Sequence, residues 1–137
     1  MESQENLELV RRVYDAWNRR DEEELLALGD PEMEYVNSPT AVEPGTRHGT
    51  NELLAVVRMQ WEILRDGRAE IDRIYDRGEE IFVVARFSRR MPEGDARIED
   101  RSLASWTIRD GKVVRTEVLG FGRAEVEKAL EAAGLRE

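Results

Sequence analysis

The sequence predicts an α+β fold in which N-terminal helices cover one face of a curved antiparallel β-sheet. Apolar residues recur at helical spacing before residue 20 and again between residues 50 and 65. From residue 69 to residue 121 the chain reads as an unbroken run of alternating strands. Tight turns such as Asp110-Gly111 separate these strands, and such turns join antiparallel neighbours.

Two helices are predicted at the start of the chain. The first covers about residues 4–19, and its apolar stripe includes Tyr14 and Trp17. Asp21 follows, and its carboxylate can accept hydrogen bonds from the free N–H groups of a second helix at residues 22–28. The pattern therefore predicts a helix–turn–helix.

A strand, a loop and a third helix come next. Residues 33–37 read as a short strand, and residues 38–49 as a loop because they hold two prolines and two glycines. Thr50 or Asn51 caps the third helix, which runs to about residue 65. Its apolar face comprises Leu53, Leu54, Val57, Trp61 and Leu64.

Four strands and a short C-terminal helix complete the expected fold. The strands cover residues 69–75, 80–90, 97–108 and 112–121, with a reversal at residues 91–95 and the last helix at residues 123–133. A β-bulge would flip part of the predicted alternation of faces.

Strand alternation sorts the side chains of this sheet into two faces. The apolar sets should line the concave side beneath the helices and form a largely apolar pocket for a small hydrophobic molecule. The expected pocket residues are Tyr14, Trp17, Asn37, Trp61, Phe87, Ala104, Trp106, Thr116 and Val118.

The outer face of the sheet mixes apolar and charged residues, as an interface with a polar rim does. A homodimer through this face is therefore expected. The apolar residues that motivate it are Phe82, Val84, Leu103 and Leu119.

Composition narrows the possible partners. The chain has 137 residues, enough for one domain with a real core, and a net charge of −9. That charge argues against nucleic acid or an anionic membrane as the main partner. The N-terminus is too polar for a signal peptide, and no apolar run approaches the ~20 residues that span a bilayer, so a cytoplasmic location is expected.

The chain lacks cysteine, which excludes disulfides, thiolate catalysis and cysteine metal sites. A single histidine without clustered partners makes no metal site. No metal and no other cofactor are therefore expected.

Three segments together resemble the SnoaL-like members of the nuclear-transport-factor-2-like superfamily, which also holds ketosteroid isomerases. The first is Ala16-Trp17-Asn18-Arg19-Arg20-Asp21. The second is Pro44-Gly45-Thr46-Arg47-His48-Gly49, which leads into Thr50-Asn51-Glu52-Leu53-Leu54. The third is Trp106-Thr107-Ile108-Arg109-Asp110-Gly111-Lys112-Val113-Val114. The resemblance spans nearly the whole chain in the right order. It implies one domain over residues 1–137 with a conical curved sheet wrapped by helices, often dimeric through the sheet.

The known catalytic sets of these relatives are missing. Ketosteroid isomerases use a carboxylate base after the first strand, with a tyrosine and a protonated acid as oxyanion donors. The resemblance places the base at Asn37 or Ser38, the tyrosine at Val13, one residue before Tyr14, and the acid near Ala104. SnoaL-type cyclases carry a histidine and an aspartate on the last strands, where this chain has apolar residues and Thr116. Neither activity can be carried over.

Two residues remain as catalytic candidates. Asp100 is the only acid predicted to face the pocket, and burial there would raise its pKa. Alternatively, Asp100 pairs with an arginine such as Arg89 or Arg101, or lies at the solvent rim. His48 suits proton transfer near neutral pH, although its loop setting favours a structural or surface role.

Three functions stay open at this point. The first is a small-molecule-binding protein without a recognised catalytic set. The second is an isomerase or cyclase acting on a hydrophobic, steroid- or polyketide-like substrate, with Asp100 or His48 as the proton shuttle. The third is a module for homo-oligomerisation or partner binding through the outer sheet face. A pocket with only neutral polar groups would favour the first.

Overall fold

The computed structural model describes residues 2–37, 45–90, 94 and 96–135. The helices are α1 (Glu2–Arg19), α2 (Glu22–Leu28), α3 (Gly49–Leu64) and α4 (Arg123–Ala132). The strands are β1 (Gly29–Asn37), β2 (Gly45–His48), β3 (Arg68–Arg77), β4 (Glu80–Arg90), β5 (Arg97–Arg109) and β6 (Lys112–Phe121). The predicted α+β class is confirmed.

One six-stranded sheet, in the order β2-β1-β6-β5-β4-β3, holds the molecule together. Strands β3 to β6 pair antiparallel in sequence order, as the turns predicted. β1 joins β6 in a parallel pair, so the sheet as a whole is mixed. The chain between these two strands is long enough for such a crossover.

Local chemistry explains the elements that the sequence located well. The Oδ1 atom of Asp21 accepts the N–H of Glu24 at 3.1 Å and caps α2, and this bond holds the pKa of Asp21 below its usual value. Asp110 and Gly111 take φ values of +51° and +73°, and a two-residue hairpin turn of this kind needs positive φ at both positions.

The region between α2 and α3 differs from the prediction. β1 begins at Gly29, directly after α2, and part of the predicted loop forms β2. β2 exists because it pairs with β1, as in the Glu34–His48 register, and composition does not reveal a long-range pairing. α3 begins at Gly49, and neither Thr50 nor Asn51 caps it. Residues 38–44, including Ser38, lie outside the described residues, as does most of the predicted reversal at 91–95.

Two register shifts in β6 change the predicted faces. Val113 pairs with Ile108, and Gly120 pairs with Leu103. Val113 is therefore buried in the core beneath the helices. Gly120 lies on the face opposite to Val118, although strict alternation would put residues 118 and 120 on the same face. Each shift leaves an extra residue on one strand, and sequence alternation cannot locate such a bulge.

The sheet carries a core on each face. We call the face beneath α1 and α3 the inner face; its core includes Val10, Val57, Ile81 and Val83. α4 packs on the outer face, where Val84 and Leu103 are fully buried with Val126 and Leu130. Two of the apolar residues that motivated a homodimer are thus covered by the chain's own C-terminal helix.

Candidate functional site on the inner face

A row of side chains crosses the inner face from strand to strand. Tyr35 on β1 pairs with Arg47 on β2 and with Thr116 on β6, and Thr116 pairs with Trp106 on β5. We call these four residues the central row. Residues paired directly across a sheet point to the same side, so the central row presents aromatic and polar groups to the helices.

Two helices bring polar groups onto the central row. The Nε1–H of Trp106 donates to the hydroxyl of Tyr14 on α1 at 3.3 Å, and the two rings meet edge to face at 5.6 Å. The Nε2 of Gln60 on α3 donates to the hydroxyl of Tyr35 at 3.2 Å. Trp17 donates to the Oε1 of Gln60 at 2.9 Å, which fixes the orientation of that amide.

Both phenols are neutral hydrogen-bond donors at physiological pH. Burial raises the pKa of Tyr14, and the nearby Tyr35 adds to the shift. Burial also raises the pKa of Tyr35, against the smaller lowering effects of Gln60 and Arg47. Each phenol oxygen accepts a hydrogen bond, from Gln60 at Tyr35 and from Trp106 at Tyr14, so each hydroxyl keeps its hydrogen to donate.

An aromatic wall continues from the central row toward one end of the sheet. Trp17 packs edge to face on Phe87 at 5.7 Å and tilts against Trp61 at 6.5 Å. Phe87 in turn lies 5.9 Å from Phe121. Such rings offer a large apolar surface to a flat ligand.

The inner face is closed at one end and open at the other. Around Val10, Ile108 and Val113 the side chains are almost completely buried. At the opposite end Phe87 is partly exposed and Phe121 is 45% exposed. We call this second region the open end.

All nine residues expected to line the pocket lie on the inner face or on the helix surfaces that cover it. Tyr14, Trp17, Ala104 and Thr116 are buried, whereas the others retain partial exposure. Two surface depressions lie away from the aromatic wall. The larger, of about 600 Å³, sits beside the β5–β6 turn, against Asn6 and Leu9 of α1.

Asp100 lies on the inner face, as expected, but it is not buried there. It pairs across the sheet with Phe87 at the open end and is exposed. The condition for a raised pKa is therefore not met. Asp100 forms no ion pair with the described residues, neither with Arg89 nor with Arg101. The rim position, one of its expected alternatives, is the one observed.

His48 lies on the other side of the sheet. It pairs with Glu34, whose alternation places it opposite Tyr35, and its Nε2 lies 3.3 Å from a Glu34 carboxylate oxygen. Glu34 in turn lies 3.7 Å from the Nε of Arg115. The side chain of His48 is 65% exposed. The two catalytic candidates are thus separated from the phenols and from each other.

Sequence reasoning missed Tyr35 and Gln60. Both signals were present: Tyr35 shares strand parity with Asn37, and Gln60 follows Val57 by three residues on the apolar side of α3. A polar residue on an apolar helix face indicates a buried hydrogen bond or a site.

The segment after Trp17 has a structural role. Asn18 donates to the carbonyl of Ala69 at 2.9 Å and accepts the N–H of Ala69 at 2.8 Å, which joins α1 to the start of β3. The guanidinium of Arg20 lies over the rings of Trp17 and Trp61, and it donates to the carbonyl of Gly67 at 3.0 Å. These contacts position the aromatic wall.

The described part of the chain holds no group of three or more histidine, cysteine, aspartate or glutamate side chains that could bind a metal ion. None of its helices is long and apolar enough to cross a membrane.

Residues 10–116 match the SnoaL-like domain family. The chain belongs to this family. The match covers the second half of α1, the central row and the aromatic wall except Phe121, so the family assignment and the site geometry concern the same part of the molecule. No curated protein matches the sequence significantly.

Solved structures share the fold at low sequence identity. Bal32a, from a soil-derived mobile gene cassette, is 18% identical with a TM-score of 0.77, over 93% of this chain and 96% of its own. A proposed SnoaL-like polyketide cyclase from Jannaschia sp. CCS1 is 16% identical with a TM-score of 0.76, over 96% and 94%. IdmH from Streptomyces antibioticus, a proposed polyketide cyclase, is 20% identical with a TM-score of 0.75, over 90% and 96%. At these identities the likeness establishes the fold alone.

Proposed function

We propose that this SnoaL-like domain binds a flat, largely apolar small molecule on its inner face. The observation that supports this best is the composition of the central row and its helix partners. Tyr14, Tyr35, Gln60, Trp106 and Thr116 supply hydrogen bonds without a carboxylate or a histidine, and Arg47, on the edge strand β2, is the one charged member of the row. Neutral polar groups within an apolar surface orient a ligand rather than move its protons.

The aromatic wall supplies most of the affinity in this proposal. Phe87 and Trp106 are partly exposed although they face the helices, and Trp61 of α3 is partly exposed although it packs against Trp17, so all three retain surface that a ligand could cover. Ring stacking on such surface is worth ~0.5–1.5 kcal/mol per pair beyond the area buried. The two phenols then select ligands with a hydrogen-bond acceptor, such as a carbonyl oxygen.

Binding of N-phenyl-1-naphthylamine, a neutral fluorescent probe, tests the proposal. Trp106→Ala should weaken binding about tenfold, because it removes aromatic contact area. Phe82→Ala is the matched control, since Phe82 is a partly buried aromatic residue on the outer face. Equal binding by the wild type and Trp106→Ala, or a loss in Phe82→Ala alone, would contradict the proposal.

A second pair of probes tests the phenols. 2-Acetylnaphthalene has a carbonyl group where 2-ethylnaphthalene has a methylene group, so the two probes differ only in the hydrogen-bond acceptor. Tyr35→Phe should weaken binding of the ketone about three- to tenfold, the value of one neutral hydrogen bond, and leave the hydrocarbon unchanged. An equal effect on both probes would show that Tyr35 acts through packing.

Polyketide cyclase activity, proposed for IdmH and for the Jannaschia protein, is the alternative on the same fold. It would require Asp100 or His48 to reach the substrate, yet Asp100 is exposed and His48 is on the opposite face. If Asp100 is nevertheless the base, Asp100→Asn should lower turnover of a matched substrate by about two to four orders of magnitude. Unchanged turnover in that variant would exclude this role.

A further inference from the structure

We infer that the ligand of the inner face carries an acidic group, and that Arg89 at the open end binds it. This rests on the proposed function and names its ligand class: a flat apolar body with one carboxylate, sulfonate or phenolate. Arg89 lies two residues beyond Phe87 on β4, on the same side of the strand, about 7 Å farther toward the open end. Arg89 therefore adds a positive charge at the end of the aromatic wall, next to Phe87.

The second observation is that the Arg89 side chain has no partner among the described residues. Many arginines of the described chain have a carboxylate partner, as Arg90 and Arg97 do by sharing Asp66. The side chain of Arg89 makes no ion pair and no hydrogen bond with the described residues. Arginines that likewise lack one, such as Arg11 and Arg77, are exposed, whereas Arg89 is partly buried.

Arg89 as a whole is partly buried, and a ligand anion would supply the charged partner that its guanidinium lacks among the described residues. Arginine is also suited to the task, because its planar fork binds carboxylate-like groups through two hydrogen bonds. The chain carries a net charge of −9, so a cation beside an apolar face gives an anionic ligand a local attraction that the molecule as a whole does not. A ligand with its anionic group there would leave its apolar body against Phe87 and Phe121.

The carboxylate of Asp100 would repel an anionic ligand bound at Arg89. It pairs with Phe87, and Arg89 pairs with Ile98, so Asp100 and Arg89 are diagonal neighbours on one face. Their separation exceeds that of an ion pair, and Asp100 is exposed, so its negative charge is largely screened by solvent. It should reduce affinity for an anion slightly and leave a neutral ligand unaffected.

Two probes of one shape test the inference. 8-Anilinonaphthalene-1-sulfonate is N-phenyl-1-naphthylamine with an added sulfonate. Arg89→Gln should raise the Kd of the sulfonate about tenfold, the low end for a charged hydrogen bond, with the neutral probe unchanged. Arg77→Gln removes the same charge at the far end of the sheet and should change neither Kd. Asp100→Asn should tighten the sulfonate about two- to threefold.

Unchanged sulfonate binding in Arg89→Gln, with the neutral probe still bound, would overturn the inference and leave the proposed function intact. Equal weakening in Arg89→Gln and Arg77→Gln would do the same, because it would reflect net charge alone. Failure of the wild type to bind the neutral probe would instead overturn the proposed function. Thermal unfolding of each variant shows that the compared proteins are folded.

Discussion

Single side chains determine how the helices meet the sheet. Asn18 is the clearest case, since its amide makes two hydrogen bonds to the backbone of Ala69 and thereby fixes the end of α1 against β3. Trp17 and Arg20 flank this contact, so the position of the aromatic wall depends on it. The sequence motif that indicates the family therefore encodes a structural joint.

Replacing Asn18 with alanine should lower the free energy of unfolding by about 1–3 kcal/mol. Two partly buried backbone groups of Ala69 would lose their partner, and such groups are costly to leave unpaired. Chemical denaturation measures the change. Asn51→Ala, at an exposed position of α3, serves as the control and should be nearly neutral. Equal stability of the two variants would contradict the assigned role.

Replacing Tyr75 should not lower the free energy of unfolding. Its hydroxyl is buried on the outer face and has no hydrogen-bond partner among the described residues. Tyr75→Phe removes an unpaired polar group, so the free energy of unfolding should stay the same or rise by about 1 kcal/mol. Tyr35→Phe, which removes a hydroxyl that has a partner, should lower it. A clear loss of stability in Tyr75→Phe would show that the hydroxyl is solvated or bonded.

At the scale of elements, α4 depends on a glycine in β6. A Cβ atom on Gly120 would lie 2.8 Å from the carbonyl oxygen of Glu125, because the first turn of α4 crosses the strand there. This close approach lets Val126 and Leu130 bury Val84 and Leu103. The outer core thus requires a residue without a side chain at this position.

Gly120→Ala should lower the free energy of unfolding by about 1–3 kcal/mol, since backbone must move to relieve the contact. Gly29→Ala is the matched control. Its added Cβ would lie 2.6 Å from the sulfur of Met33, the flexible end of a side chain that can turn aside. Thermal or denaturant unfolding compares the two. A larger loss in Gly29→Ala would contradict the packing described for α4.

For the whole molecule, the buried phenols make stability depend on alkaline pH. The folded pKa values of Tyr14 and Tyr35 lie above the value of about 10 for an unfolded tyrosine. Their contribution is complete below about pH 10 and is lost as pH rises toward the folded values, because only the unfolded chain releases these protons there.

The free energy of unfolding should therefore fall as pH rises above about 10, with a slope approaching about 1.4 kcal/mol per pH unit for Tyr14 and a further contribution of the same sign from Tyr35. Denaturation series between about pH 9 and pH 11.5 measure the slope. Tyr14→Phe should flatten it relative to wild type, even though that variant is less stable at neutral pH. An unchanged slope in Tyr14→Phe would contradict the burial of this phenol.

The homodimer through the outer face remains a prediction, with a smaller surface than first expected. α4 covers Val84 and Leu103, which leaves Phe82 and the charged outer side of β1, β2 and β6. Light scattering at tens of micromolar, roughly where a modest interface still holds, checks the mass. A monomer at that concentration would count against it.

The sequence alone determined the elements whose signals are local. The capping residue Asp21 marked α2, the Asp110-Gly111 turn marked the β5–β6 hairpin, and alternation assigned β4 to its two faces without error. Each of these depends on residues within about one turn or one strand. The α+β class and the inward position of Trp17 and Trp106 follow from the same local patterns.

Only the tertiary structure decided the site and its surroundings. β2 pairs with β1, and β1 with β6, through residues far apart in sequence, so Tyr35 meets Thr116 and His48 meets Glu34 only after folding. Bulges in β6 set which side chains reach the inner face, and the exposure of Asp100 depends on what stands above it. Pairing, bulges and burial depend on residues far apart in sequence, which is why the contact of Tyr35 with Thr116 was found only in the structure.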